Sequence, residues 1–241
     1  ASILYKLDST YIVVTYDGMQ ANRLFDDLKL FLPNNIVLFP TREIMLYNAV
    51  ARSNEIIGRR LSVLERLAAG EKLVVVTTMD ALMGPNMPAD VFAESMFTIT
   101  EGEEHSPHEL AQRAVDMGYE RVPTVEGPGQ FSLRGSIFDI YPLTSDMPYR
   151  VDFFDEYVDS IRTFDLITQR SEERIDTITV SPARELVLSP ELLEAGRQRI
   201  EKSFQQLMQK MQKSQDFDRE RLRNRIDQLL EDMDHGVMED Q

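Results

Sequence analysis

The chain has 241 residues, no cysteine, and 26 basic against 41 acidic side chains, for a formal net charge of −15. A surface that acidic repels phosphate backbones and argues against nucleic-acid binding by the chain as a whole. The absence of cysteine excludes disulfides and thiolate chemistry and fits a reducing, cytoplasmic setting, and no apolar run approaches the roughly 18 residues that a membrane span needs.

Tyr11–Thr15 is a short β-branched run. Asp17 is placed to cap a helix that runs to Leu32, with Leu24, Leu28 and Phe31 on one face. Ile36–Phe39 reads as a second strand, closed by Pro40. Residues 42–69 read as a helix with a loose start: Ile56, Ile57, Leu61, Leu64 and Leu67 recur at helical spacing, and Gly70 follows the last turn. Residues 73–76 form a third strand, apolar throughout as a strand covered on both faces must be, and Thr78 opens a short helix. This alternation predicts a parallel sheet with crossover helices.

Near Pro88 the alternation stops. A helical turn over 91–95 precedes a strand at Phe97–Thr100. Ser106, Pro107 and Glu109 make the start of a capped helix, with Leu110, Ala114 and Met117 on its inner face and Gly118 at its end. From Tyr119 the pattern predicts antiparallel strands, with turns at 127–129 and 144–148 and a last strand over 175–180, ended by Pro182. Beyond Ser189 and Pro190 the chain reads as helical. One apolar stripe is Ile200, Phe204, Leu207, Met208 and Met211; a second is Leu222, Ile226, Leu229, Leu230 and Met233, with a turn at 214–218 between them. The fold class is α/β: a parallel α/β domain over 1–96, an inserted α+β domain with an antiparallel sheet over 97–180, and a helical segment over 181–241. The start at Ala1 and the charged helical end read as a piece of a longer protein.

The densest β-pattern lies in 129–170. As a two-residue turn, Asp155 and Glu156 set Phe154 against Tyr157, Phe153 against Val158, Asp152 against Asp159 and Arg150 against Ile161. One face then holds Tyr149, Val151, Phe153 and Val158 and reads as core. The other holds Arg150, Asp152, Phe154, Tyr157 and Asp159. Arg134 lies on the preceding strand, and the apolar phase shifts from 131 and 133 to 137, 138 and 140, which predicts a bulge around Gly135. Arginine beside an exposed aromatic is the composition of binding hot spots. The same residues also suit an ordinary surface, with Phe154 under a helix and the arginines in surface pairs.

Residues 151–156, VDFFDE, have the outline of an ATPase magnesium site. That chemistry needs a glycine-rich phosphate loop, and GxxxxGK followed by Ser or Thr does not occur. Glu103, Glu104, His105 and His108 are metal-ligand types, but His108 falls in a helix start. Four arginines within 219–225 interleave with acidic residues, as on a solvated helix face. No catalytic, cofactor or metal residue is assigned to the chain.

The strings GQFSLRGSIFDIYPL (129–143) and PYRVDFFDEYVDSIRTFDLITQRS (148–171) resemble the second domain shared by bacterial UvrB and the Mfd family of transcription-repair coupling factors. The likeness continues through ITVSPARE (178–185), and residues 12–17, 38–40 and 74–78 follow the same family in order and spacing. Phe39-Pro40 with Arg42-Glu43, the long helix over 52–69 and the SPARE ending are similar to Mfd more than to UvrB. The resemblance implies a degenerate, helicase-like first domain that hydrolyses no ATP and a second domain that docks the excision-repair protein UvrA. It implies UvrA contacts at Arg134, Arg150 and Phe154; Ser136 departs from the family's more usual Gly or small apolar residue. It further implies a parent protein that is an ATP-dependent DNA translocase acting on stalled RNA polymerase. ATP, magnesium, DNA and RNA polymerase would be bound by other parts of that parent. Two further readings stay open: a fragment of UvrB, and a clamp that holds the translocase motor inactive.

Overall fold

β1 (Tyr11–Thr15) opens a three-stranded parallel sheet, in a computed structural model that describes residues 9–42, 50–84, 86–185, 190–210 and 216–234. It leads into α1 (Gly18–Lys29), whose start is fixed by Asp17, with Oδ1 accepting the Gln20 N–H at 2.8 Å. β2 (Ile36–Phe39), α2 (Val50–Ala68) and β3 (Val74–Thr78) follow, in the strand order β1-β3-β2. Helix α1 covers one face, packing Ala21, Leu24 and Phe25 on Val13, Ile36 and Val74. Helix α2 covers the other, packing Val63, Leu64 and Leu67 on Val37, Phe39 and Val75. The central β3 is therefore buried along its whole length, which is why its sequence does not alternate. Residues 43–49, where the loose helix start was expected, lie outside the described residues.

The Thr78 hydroxyl caps α3 (Met79–Met83), and α4 (Ala89–Ser95) leads to β4 (Phe97–Thr100). Ser106 caps α5 (Pro107–Asp116), which buries Leu110, Ala111 and Ala114. β5 (Glu120–Arg121), β6 (Gln130–Arg134), β7 (Ile137–Tyr141), β8 (Tyr149–Phe154), β9 (Tyr157–Phe164) and β10 (Ser171–Ile175) form one sheet in the order β10-β9-β8-β7-β6-β5. Its pairings are antiparallel except that β5 joins β6 in parallel. The loop over 122–129 carries the chain back to the same end of the sheet, and the Glu120 N–H reaches the Gly129 carbonyl at 2.9 Å. The single strand expected over 175–180 is two elements. β10 ends at Ile175, the chain bends at Asp176, and β11 (Thr177–Val180) pairs with β4 as a separate antiparallel ribbon. β10 is almost entirely polar and edge-exposed, so it carries no apolar alternation to read. Phe131, Phe138, Ile140, Val151, Phe153 and Ile161 share one core with α5, β4 and β11.

α6 (Pro190–Lys210) and α7 (Asp216–Asp234) pack on each other in a unit of their own, Leu188–Gln241; the elements described above belong to the other unit, Ala1–Val187. Helix α7 begins inside the expected turn at 214–218. Ile200, Phe204, Met208, Leu222, Ile226 and Leu230 are half-buried and Leu207 is exposed; Met211 and the side chains of Leu229 and Met233 lie outside the described residues. Among the described residues no helix is long and apolar enough to cross a membrane.

The chain leaving β11 is tied to α2 by buried ions. Glu185 accepts from Arg42 Nε at 2.6 Å and from Arg60 Nε. Arg60 is 1% exposed; it also gives Nη1 to the Pro40 carbonyl at 2.7 Å and Nη2 to Asn86 Oδ1 at 3.0 Å, and it stacks on the Phe39 ring at 3.9 Å. Burial pushes the Arg60 pKa down, and the hydrogen bond to Glu185 opposes that shift. Ser181 Oγ donates to Glu65 Oε2 at 2.8 Å, and the Tyr119 hydroxyl donates to the Ser181 carbonyl at 2.6 Å. Gly58 lets α2 approach the β7–β8 loop, since a Cβ there would lie 2.5 Å from the Leu143 carbonyl oxygen.

Glu185→Ala leaves Arg60 buried without its counter-charge and is expected to cost about 3–5 kcal/mol of unfolding free energy. Glu55→Ala removes the exposed pair with Arg59 and is expected to leave the unfolding midpoint nearly unchanged. Urea titrations of the two variants, followed by circular dichroism, check the contrast.

Candidate functional site

Strand alternation sorts β6, β7 and β8 onto two faces. Phe131, Leu133, Phe138, Ile140, Val151 and Phe153 turn to the core, and Ser132, Arg134, Asp139, Arg150, Asp152 and Phe154 turn the other way. Gly135 and Ser136 are the turn between β6 and β7, with Gly135 at φ +61°. The phase shift at Gly135 is thus a chain reversal and not the expected bulge: Phe131 pairs with Ile140 and Leu133 with Phe138 in unbroken register.

The bulge lies instead between β8 and β9. Across the Asp155-Glu156 turn, Phe154 pairs with Tyr157 and Phe153 with Val158 as expected, with Asp155 at φ +59°. Asp159 is then an extra residue, so Asp152 pairs with Ser160, Val151 with Ile161 and Arg150 with Arg162. The expected pairs of Asp152 with Asp159 and Arg150 with Ile161 do not form. A straight register would have set Ile161 on the open face; the slip returns it to the core, where it is fully buried. The VDFFDE string is accordingly a strand end and a hairpin turn.

The open face is organised by a carboxylate that sequence reading missed. Asp139 is 0% exposed and lies between Ser132 and Arg150 in the sheet register. Its Oδ1 accepts from Arg150 Nε at 2.7 Å, and its Oδ2 accepts from Arg150 Nη2 at 2.9 Å and from Arg134 Nη2 at 2.7 Å. Arg150 also donates Nη1 to the Gln169 carbonyl at 3.0 Å and lies 4.6 Å above the buried Phe164 ring. The hydrogen bond to Asp139 holds its guanidinium above the ordinary arginine pKa, against the opposing effect of burial. The signal for Asp139 was present: an aspartate inside the apolar run 137–141 needs a buried cation, and two arginines flank it on neighbouring strands.

The three residues singled out from sequence share this face but differ in availability. The Arg150 side chain is 12% exposed and Arg134 44%. Phe154 is 78% exposed beside the β8–β9 turn, with Tyr157 exposed opposite it. Arg162 faces Arg150 across β9, and Arg174 faces Arg162 across β10. Each has its own acid, Asp152 at 3.2 Å and Glu101 at 2.7 Å. Elsewhere, Glu103 sits 3.3 Å from His105, and His108 lies in α5. Among the described residues no three His, Asp or Glu side chains gather as metal ligands. A cleft of about 1180 Å³ runs between α1, α2 and the loops at 127–129 and 143–146, lined by groups of both charges.

Residues 97–186 match the family model described as the UvrB interaction domain. The chain is 37% identical over 200 residues to the transcription-repair-coupling factor of Bacillus subtilis (strain 168), which covers 83% of this chain and 17% of that protein. The factors of Staphylococcus aureus (strain Mu50 / ATCC 700699) and Staphylococcus epidermidis (strain RP62A) are 29% and 30% identical over 204 residues, covering 84% of this chain and 17% of each protein. The chain belongs to the transcription-repair-coupling factor family. It spans about a sixth of the length of the curated relatives it matches, 17% in each case. Within this coupling-factor segment the interaction domain begins at β4 and runs just past Glu185. It therefore contains the whole six-stranded sheet with its arginine face, and also the acid that ties its end to α2.

The two adjacent rings of β8 are expected to separate fold from surface. Phe153→Ala empties a core position and costs about 3–5 kcal/mol. Phe154→Ala removes an exposed ring and stays within about 0.5 kcal/mol of wild type. Thermal melts of the two variants measure the difference.

Proposed function

We propose that this chain is the protein-docking region of a coupling factor, and that it recruits UvrA to lesions where RNA polymerase has stalled. The reading rests on one observation above the others: Phe154 and Arg134 are exposed on a sheet face whose opposite side is core. An exposed ring and a charged fork on an ordered strand surface suit recognition of an acidic partner around a small apolar pocket. The matched interaction domain supports the same reading. On this reading Arg134, Arg150 and Phe154 form the UvrA-binding set, and the chain itself is non-catalytic. The parallel α/β layer is then a degenerate helicase-like domain carrying the interaction domain as an insertion, with α6 and α7 as the start of a returning helical domain. ATP hydrolysis, DNA translocation and RNA polymerase contact belong to other parts of the longer protein.

Calorimetric titration with purified UvrA tests the reading. Arg134→Ala and Phe154→Ala are each expected to weaken binding by about 2 kcal/mol or more, as hot-spot truncations do. Affinity equal to wild type in both variants would remove the docking face from this sheet.

A further inference from the structure

We propose that Asp139 is the positioning residue of the docking face, holding Arg134 in the orientation in which it meets a carboxylate of the partner. The inference rests on the docking reading above and adds a residue that touches no partner itself.

Asp139 is fully buried between Phe138 and Ile140, both of which face the opposite side of the sheet. An ionised carboxylate there requires cations, and two guanidiniums supply them from the strands on either side, Arg134 on β6 and Arg150 on β8. One acid shared by two arginines leaves one positive charge in excess. That excess falls on Arg134. Arg150 is committed to both oxygens of Asp139, to the Gln169 carbonyl and to the Phe164 ring, and its side chain is 12% exposed. Arg134 gives Asp139 one nitrogen, Nη2, and remains 44% exposed.

A free arginine samples many rotamers, and ordering it on binding opposes affinity. Tethering Nη2 to a buried carboxylate removes much of that disorder beforehand and leaves the remaining N–H groups of the fork for an incoming carboxylate. Asparagine at this position would lack the charge and would turn N–H groups toward one of the guanidiniums. Arg134 and Arg150 would then repel each other across β7, and Arg134 would swing free.

A double-mutant cycle on the full chain, with UvrA as the titrant, tests this. Asp139→Asn is expected to weaken binding about tenfold in the wild-type background and clearly less in the Arg134→Ala background, where only its hold on Arg150 is left to lose. A loss of the same size in both backgrounds, or no loss in either, overturns the positioning role. Unchanged affinity in Arg134→Ala with a loss in Phe154→Ala also overturns the positioning role, while unchanged affinity in both overturns the docking reading on which it rests. Nitrogen-15 spectra of the arginine side chains in the wild-type chain without UvrA supply an arm that does not depend on how the variant folds. Restricted rotation of the Arg134 guanidinium supports the proposal, and free rotation overturns it.

Discussion

A carboxylate taken out of water must be met by cations held at bonding distance, and among the described residues that constraint is met in two places. Glu185 is shared by Arg42 and Arg60, and Asp139 is shared by Arg134 and Arg150. Each cluster joins elements that sequence alone leaves apart. Arg60 and Glu185 fasten α2 to the chain leaving β11, while Asp139 laces β6, β7 and β8 together. They differ in what becomes of the arginines. Arg60 is enclosed and stacked on Phe39, so the first cluster serves the seam. Arg134 is left half in solvent, so the second offers a charge outward.

That local charge sits in a chain of net charge −15. The long-range field therefore does not draw an acidic partner toward it, and screening at physiological salt confines any single arginine to about 8 Å. On the proposed docking reading, binding at this face comes from contact: a ring removed from water and a guanidinium fork engaged at hydrogen-bond distance. The cross-strand row of Arg150, Arg162 and Arg174 fits the same logic. Like charges opposite one another are unfavourable, and each of these three is paired with a different acid, Asp139, Asp152 and Glu101 in turn. Arg134 alone shares an acid already taken up by another member of the face.

Local chemistry made much of this legible. The caps at Asp17, Thr78 and Ser106, the buried β3 and the Asp155-Glu156 turn follow from residue type and spacing. What the sequence concealed was non-local. The parallel pairing of β5 depends on the path of a loop. The strand at 171–175 is polar at a sheet edge. The role of Asp139 depends on which arginines the register brings beside it. The arginines and Phe154 could be placed on one face by counting alternate residues, but their unequal exposure could not, because Phe164 and Gln169 come from a distant stretch to cover Arg150 alone.

The neighbouring rings of β8 show why register belongs to the site. Phe153 and Phe154 are identical side chains one residue apart, and the sheet buries one and exposes the other. A slip of one residue would exchange them, placing Phe154 in the core and Phe153 in water. The Asp155-Glu156 turn fixes their pairing with Val158 and Tyr157, and the extra residue Asp159 restores the phase beyond it, so that Ile161 packs inward while Arg162 stays in the row with Arg150. Without that bulge the apolar and charged sets of β9 would change places beyond the turn. The exposed residues are therefore held in place by the turn and the bulge as much as by their own contacts.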